Sequence, residues 1–209
     1  MPFSDHMAVE GKKILRRGRD KFERVLALLP FAGPTDELQE ELRESMRILR
    51  SAMDWLEDTP RFKLAHLTLD DAGQLARRRF PQGCRLQLRD GVYYQRCPVA
   101  LAHNRIGLSP AFTVKEVECS ICNGDPEDCD HVKGFEYDGQ LCYHTIKEIG
   151  ELLEVSIVNR PNMPDARIMS ISVGNGELRD RLGEQFRPGM VVSCDRCLTK
   201  CNGVVRNFE

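Results

Sequence analysis

The stretch C-S-I-C-N-G-D-P-E-D-C-D-H, at residues 119–131, is the strongest indication of how this chain of 209 residues folds. It opens with a C-x2-C knuckle, a turn that presents two thiolates to one metal ion, and a third cysteine and a histidine follow. The connecting loop of Asn, Gly, Asp, Pro and Glu is too polar for a buried core segment, so burial does not explain these thiols. We therefore predict a zinc site formed by Cys119, Cys122, Cys129 and His131.

Two further residues follow within range of that site and leave its ligand set open. Cys142 and His144 come shortly after the predicted loop, and either of them can replace one of the four ligands. The alternative is that both have ordinary packing or polar roles. A tetrahedral zinc ion takes four protein ligands in a structural site, so not all six residues can bind one ion.

A second C-x2-C motif lies in C-D-R-C-L-T-K-C, at residues 194–201. Its three cysteines are one ligand short of a closed tetrahedral site, so distant segments are expected to complete it. We predict a second zinc ion on Cys194 and Cys197, and some of the remaining candidates are then ordinary buried thiols. Two further ligands are drawn from Cys201, Cys84, Cys97 and His103.

The cysteine usage favours metal over disulfides. All nine cysteines lie from Cys84 onward, and the N-terminal M-P-F-S-D-H-M-A-V-E-G-K-K has no apolar secretory segment. An odd number of cysteines in such a chain is not typical of a disulfide framework. Because cysteine-rich sets make zinc a poorer Lewis acid than open histidine-rich sets, both sites are predicted to be structural.

Residues 1–60 are predicted to form a helical hairpin. A break at P-F-A-G-P, residues 30–34, separates two helical patterns, and Thr35 is a plausible N-cap of the second. The second helix has a heptad-like apolar seam, which packs on its own neighbour or on a partner helix. The seam consists of Leu38, Leu42, Met46, Leu49, Met53 and Leu56.

Residues 61–209 are predicted to form a β-rich, barrel-like domain with zinc-knuckle insertions, so that the fold class is α+β. A short helix is expected at 69–79, followed by a hairpin that turns at R-D-G, residues 89–91. The hairpin strands are predicted at residues 84–88 and 92–97. Further strands are predicted at residues 106–117, 152–159, 166–173 and 190–193.

Composition and charge exclude several classes of function. Lys and Arg number 30 against 32 Asp and Glu, so the net charge of -2 does not indicate a polycation that binds nucleic acid or lipid. No apolar run approaches the ~18 residues of a membrane span, and we expect a cytoplasmic protein. A basic run at residues 12–21 is either a solvated helix face or a contact for phosphates.

Residues 107–112 have the sequence G-L-S-P-A-F, and residues 153–168 have the sequence L-E-V-S-I-V-N-R-P-N-M-P-D-A-R-I. Together they resemble the G-L-S-x-G/A-F strand and the downstream E-V-S-L-V-x-x-P-A-N-P-x-A-x-I strand and turn of tailed-phage prohead (head maturation) proteases. Relatives with a C-x-I-C…C-x-H…G-x-x-Y-x-G insertion are similar to residues 119–139. The resemblance covers about residues 105–173, and the rest is similar to uncharacterised actinobacterial and phage zinc proteins.

This resemblance implies a compact β-barrel with flanking helices, a serine nucleophile at Ser109 and a histidine base from an upstream strand. His66, 43 residues upstream, is the candidate base, whereas His103 lies only six residues away. Pro110 removes a backbone N–H that an oxyanion hole could use. Because a serine needs a positioned base to act as a nucleophile, the scaffold is predicted to lack robust catalysis.

Three functions follow from these observations. The first is a zinc-stabilised structural or interaction protein on a prohead-protease-like scaffold, with a protein partner or self-association through the helical hairpin. The second is a serine protease of phage head maturation that uses Ser109. The third is a nucleic-acid-binding zinc protein. Its contacts would come from Arg77, Arg78, Arg79, Arg85, Arg89, Arg96 and Arg105, with Tyr93 and Tyr94 for stacking. The alternative for these arginines is a solvated sheet face without a binding role.

Overall fold

Three helices form the N-terminal part of the chain in the computed structural model, which describes residues 3–198 and 201–205. They are α1 (Phe3–Ala32), α2 (Asp36–Trp55) and α3 (Phe62–Arg79). The predicted break at residues 30–34 overlaps the last turn of α1, which includes Pro30, and the helix ends at Ala32. Thr35 is the N-cap of α2, because its hydroxyl accepts a hydrogen bond from Leu38 N at 3.3 Å.

The apolar seam of α2 lies inside the chain's own core. Every residue of the seam is buried, and the seam packs with Val25 of α1 and Leu69 of α3. The two long helices cross closely at Gly18, where a Cβ would lie 3.0 Å from Leu49 side-chain atoms. Ser45 donates its hydroxyl proton to Gly18 O at 2.9 Å across the same contact. The seam is therefore satisfied within the chain and does not require a partner helix.

The core continues across the predicted domain boundary at residue 60. Helix α3 begins at Phe62, seven residues before the predicted start, and contributes Leu69 and Ala72 to the same core as α1 and α2. Val99 of the short helix α4 (Pro98–His103) joins it as well. The helical body thus consists of four packed helices rather than a hairpin alone.

The strands form small open sheets in the described part of the chain, and the predicted barrel is wrong. A three-stranded antiparallel sheet has the order β1 (Gln87–Arg89), β2 (Val92–Gln95) and β7 (Ile171–Val173). It packs with α5 (Asn175–Leu182) on a second small core around Tyr93. The predicted strand at 190–193 is reduced to one bridge between Arg85 and Ser193.

A long antiparallel hairpin dominates the β part, and we call it the β arm. It consists of β3 (Gly107–Cys119) and β6 (His144–Val158), paired from Gly107 opposite Val158 to Cys119 opposite His144. A small hairpin of β4 (Glu136–Tyr137) and β5 (Gln140–Leu141) lies in the segment that connects the two strands. Because β3 ends at Cys119, the predicted metal ligands lie at the distal end of the arm.

A buried ionic network attaches the base of the arm to the helical body. Arg105, which precedes β3, donates to Asp54 at 2.6 Å and to Glu57 at 2.7 Å. Arg167, which follows β6, bonds to the same Glu57 and lies 3.4 Å from Asp54. Since all four side chains are at least 94% buried, removing one charge leaves its partners uncompensated.

The turn that follows β6 makes a second attachment. Asp165 accepts hydrogen bonds from Ser51 and from Trp55 Nε1, each at 3.0 Å, and both donors belong to α2. Arg50, also on α2, donates to Ile168 O at 2.6 Å.

Within the described residues, no helix combines the length and apolar character that a bilayer crossing requires.

Candidate metal centres

The structure brings Cys119, Cys122, Cys129 and His131 together, and we call this group the tip cluster. Their ligand atoms all lie within 4.8 Å of one another, so the group can hold a metal ion. The knuckle is closed by two backbone hydrogen bonds, from Asn123 N to Cys119 O at 2.9 Å and from Cys119 N to Gly124 O at 2.8 Å. The tip cluster is therefore the group of ligands that the sequence predicts.

The loop between the knuckle and His131 is shaped by turn residues. Asn123 adopts a positive φ of 59°, which asparagine tolerates better than most residues. Asp125 accepts a hydrogen bond from Glu127 N at 2.9 Å and starts the short 3-10 turn that leads to Cys129. These polar residues fold the loop back so that the third thiol meets the first two.

His131 has a buried nitrogen without a partner. Its Nδ1 is buried and forms no hydrogen bond in the described structure. The ring packs edge-on against Tyr137 with centroids 4.7 Å apart, which fixes its orientation. Because a buried polar atom without a hydrogen bond is costly, an ion at this position would satisfy Nδ1.

The thiols of the tip cluster have divergent proton affinities. The backbone N–H groups of Cys122 and Ile121 point at the Cys119 sulfur and lower the pKa of that thiol to about 6. At Cys129 the backbone N–H of His131 also lowers the pKa, but burial and the neighbouring sulfurs outweigh it and raise the pKa to about 11. One thiolate is thus tolerated without a cation, and further ones repel each other.

The two open alternatives, Cys142 and His144, lie beside the tip cluster. Cys142 is 1% exposed, and its sulfur is 3.9 Å from that of Cys119. His144 pairs with Cys119 across the arm, and its Nε2 is buried without a hydrogen-bond partner. Both remain alternative ligands, although neither belongs to the group of atoms within 4.8 Å of one another.

A second group, His66, Asp70, His103 and Cys201, lies in the helical body, and we call it the body cluster. Its ligand atoms also lie within 4.8 Å of one another. His66 and Asp70 are one turn apart on α3 and therefore share a face, and His103 is the last residue of α4. Cys201 completes the group from the C-terminal segment.

The ligand atoms of the body cluster converge on one point. The Nε2 atoms of His66 and His103 are 2.8 Å apart, and Cys201 Sγ is 2.9 Å from His103 Nε2 and 3.3 Å from His66 Nε2. The carboxylate of Asp70 reaches the two imidazoles at 3.3 and 3.2 Å. This is a donor set of two nitrogens, one oxygen and one sulfur.

Hydrogen bonds around the body cluster set the ligand orientation. The Nδ1 of His103 lies 2.6 Å from Val99 O, so Nδ1–H donates to the carbonyl and the lone pair of Nε2 faces the cluster. The Cys201 sulfur accepts from Gly203 N at 3.1 Å and from Arg196 Nη2 at 3.3 Å. Such second contacts hold the ligands in place before a metal binds.

The protonation states in the body cluster also suit a cation. Burial lowers the pKa of His66, which keeps the imidazole neutral and able to coordinate. Burial acts against the Asp70 carboxylate, but hydrogen bonds and charges from His103 and His66 outweigh it and lower the Asp70 pKa. Burial raises the pKa of Cys201, so a cation is needed to stabilise its thiolate.

The candidate ligands of the predicted second site lie in two places in the structure. His103 and Cys201 belong to the body cluster, together with His66 and Asp70, which the sequence analysis did not assign to metal. Cys84, Cys97 and Cys197 pack against the helical core away from this cluster, and Cys194 lies beside Cys84. The sequence signal that indicates this pair is the H-x3-D spacing of His66 and Asp70, which puts both side chains on one helix face.

Ser109 and His66 are not brought into hydrogen-bond contact. Ser109 lies in β3 opposite Ser156, whereas His66 Nε2 faces the other members of the body cluster. In the described residues no hydrogen bond joins Ser109 to a histidine. The pairing of Ser109 with His66 as nucleophile and base stays a prediction without support from the geometry.

Two residues of the predicted nucleic-acid surface are buried. Arg105 is 1% exposed and paired with Asp54 and Glu57. Tyr93 is also 1% exposed, and its hydroxyl donates to Met190 O at 2.8 Å. The basic run on α1 is interleaved with acids in exposed ion pairs, such as that of Arg19 with Glu23, so it is no unbroken positive stripe.

Comparison with known proteins gives no relative from which a function could be inferred, so the function is argued from the geometry of the sites. No family model matches the chain, and no curated protein or solved structure matches it. The similarity of residues 107–112 and 153–168 to prohead proteases therefore stays a prediction. What the structure establishes is an α+β chain with two Cys/His groups that can hold a metal ion.

Proposed function

We propose that this chain is a zinc-stabilised interaction protein, in which one metal ion fixes the distal end of the β arm and another fixes the helical body. The observation that carries the proposal is the position of the tip cluster at the end of a long hairpin with an exposed apolar face. The metal has a structural role, and the β arm contacts a protein.

Zinc suits both donor sets. The tip cluster offers three sulfurs and one nitrogen, and the body cluster offers a mixed set with four protein ligands, which leaves no position for a catalytic water in a tetrahedral site. Softer thiolate and imidazole ligands favour zinc over magnesium or calcium. By analogy with finger peptides, each ion contributes about 10–16 kcal/mol of binding free energy, which is available for folding.

The arm needs such support because it is a two-stranded sheet. Isolated hairpins are marginally stable in water, and in the described residues no third strand extends along either edge of the arm. Ion pairs and hydrogen bonds through Arg105, Arg167 and Asp165 hold the base of the arm on the helical body. A metal ion at the distal end therefore closes the arm at the point farthest from these contacts.

One face of the arm is apolar and exposed. Leu108 pairs with Ile157 and Pro110 pairs with Val155, so the four side chains share a face. Leu108, Val155 and Ile157 are 41%, 51% and 57% exposed. Apolar residues that are grouped in this way on a soluble surface mark a protein-protein contact.

A second copy of the chain is the partner that this face fits. The predicted contact through the α2 seam is not free, since the seam is buried within the chain. The apolar face carries no charge at its four cross-strand positions, so it is complementary to itself, and two-fold association is the commonest arrangement of identical chains. Pairing would also cover arm edges that are otherwise open.

Sedimentation of the zinc-loaded full chain tests this function. The wild type is expected to sediment as a dimer, Val155→Lys as a monomer, and Ser156→Lys as a dimer. The second variant is the matched control, because the neighbouring Ser156 points to the opposite face. Circular dichroism checks that both variants are folded. A wild type that stays monomeric at high concentration, or that folds fully without zinc, contradicts the proposal.

A further inference from the structure

Four cysteines outside the two clusters lie beside the helical body, and we call Cys84, Cys97, Cys194 and Cys197 the four-thiol cluster. Two of them are held side by side by the backbone. Cys194 N donates to Cys84 O at 2.9 Å, and the next pair, Arg85 and Ser193, forms an antiparallel bridge. Cys84 and Cys194 therefore occupy opposite positions on two adjacent extended segments.

Cys97 links this pair to the C-x2-C motif. The thiols of Cys194 and Cys197 both act on the pKa of the Cys97 thiol, so the three side chains lie in the same neighbourhood. Gln95 supports the arrangement from both sides, because its Oε1 accepts from Cys97 N at 3.0 Å and its Nε2 donates to Cys194 Sγ at 3.3 Å. An amide that donates to sulfur is the kind of contact that stabilises a metal-bound thiolate.

Helix α3 makes room for the fourth sulfur. A Cβ built at Gly73 would lie 2.8 Å from Cys197 Sγ and 2.7 Å from Val99 Cγ2. Only glycine permits this close approach of the sulfur to the helix. The absence of a side chain at Gly73 is thus explained by the need to seat Cys197 against the helical body.

Positive groups flank the cluster. Arg43 donates to Gly83 O at 2.8 Å, next to Cys84, and Arg77 donates to Cys194 O at 3.4 Å. A divalent ion with four thiolates has a net charge of -2, which nearby guanidinium groups offset. The positive charge of these two arginines is therefore suited to an anionic metal centre.

We infer that Cys84, Cys97, Cys194 and Cys197 bind a zinc ion of their own, in a tetrahedral tetrathiolate site. Four cysteines from three separate chain segments lie beside one another, and in the described structure their sulfurs are not all within 4.8 Å of one another, so the thiols must close around the ion as it binds. Four thiolates in a tetrahedron are the ligand set of zinc or of iron. Each thiol loses its proton on binding. The ion joins the segment at 194–197 to the start of β1 and to α4, and so fixes the C-terminal part on the body.

Cadmium-113 NMR of the reconstituted full chain tests this inference, since the chemical shift of the metal reports the number of thiolate ligands. Three resonances are expected, and one of them belongs to a four-sulfur site. That resonance is lost in Cys97→Ser and in Cys194→Ser, and it persists in Cys122→Ser, which removes only the tip resonance. Ser193→Ala, at the exposed neighbour of Cys194, serves as the matched control and retains all three.

Two further results would overturn the inference independently of how the variants fold. One is a wild-type spectrum without a resonance at the chemical shift of a four-sulfur site. The other is alkylation and mass spectrometry of unreduced protein showing a disulfide between these cysteines. Elemental analysis separates the metals, because zinc is expected at one more ion per chain than the tip and body clusters account for, and iron contradicts the assignment. A chain with zinc in the four-thiol cluster alone refutes the proposed function and leaves this inference intact.

Discussion

The Nε2 atoms of His66 and His103 lie 2.8 Å apart, and both face Cys201 and the carboxylate of Asp70. Two neutral imidazoles cannot both accept at such a distance without a proton or a cation between them. Because His103 donates its Nδ1–H to Val99 O, its Nε2 is left with a lone pair that faces the cluster. A metal ion at this point would satisfy both nitrogens at once and would join α3, α4 and the C-terminal segment.

Removing the carboxylate from the body cluster should remove one metal ion. Asp70→Ala is expected to lower the zinc content by one ion per chain and to lower the melting temperature, since three ligands leave the site open. Zinc is measured by elemental analysis after dialysis. The matched control is Asp71→Ala, an exposed neighbour on the same helix, which should keep both values. Equal zinc content in the two variants contradicts the assignment.

Substitutions at the tip cluster should separate the effect of losing a metal ligand from the effect of changing the neighbouring thiol of Cys142. Cys122→Ser is expected to lose the tip zinc, although Cys122 is exposed and contributes little by packing. Cys142→Ser is expected to keep the zinc and to lower the free energy of unfolding by about 1 kcal/mol, the usual scale of a single substitution. Zinc content and urea denaturation provide the two measurements. If Cys142→Ser releases the ion and His131→Ala does not, Cys142 is the fourth ligand.

Adding a methyl group at Gly73 should disturb the four-thiol cluster from the side of α3. Gly73→Ala places a Cβ against Cys197 and Val99, so the sulfur must move and the affinity for the third ion falls. Competition with a chromophoric chelator measures the affinity. Gly176→Ala is the control, because a Cβ there meets nothing within 4 Å. Unchanged affinity in Gly73→Ala would show that Cys197 is not a ligand.

The network at the base of the arm should be sensitive to the loss of one charge. Asp54→Ala is expected to destabilise the fold by about 3–5 kcal/mol, because it removes a buried partner from Arg105 and Arg167. Asp20→Ala removes the partner of Arg16 from an exposed ion pair at 3.9 Å and should change stability by less than about 1 kcal/mol. Chemical denaturation compares them, and similar losses in both variants would contradict the role of the network.

Local spacing made the helices and the tip cluster predictable. The 4-4-3-4-3 repeat of apolar residues in α2 reports a buried helix face, and Thr35 has the side chain that an N-cap requires. The ligands of the tip cluster lie within 13 consecutive residues, so the turn chemistry of a short loop is enough to bring them together.

The H-x3-D spacing indicates only two members of the body cluster, and the other two could not be predicted because they come from distant segments. His66 and Cys201 are separated by 135 positions, and their meeting requires the core of α1, α2 and α3 to be formed first. The same reason explains the failure of the barrel prediction. Alternating sequence indicates strands but does not decide which strands pair, and here β3 and β6 pair with each other alone in the described structure.

The metal content of the purified full chain, measured by native mass spectrometry, tests the central claim most directly. Three zinc ions per folded chain are expected, held by the tip cluster, the body cluster and the four-thiol cluster. Loss of all three in strong chelator should abolish the dimer and lower the melting temperature. A chain that is free of metal and keeps its secondary structure, dimer and melting temperature would contradict the account.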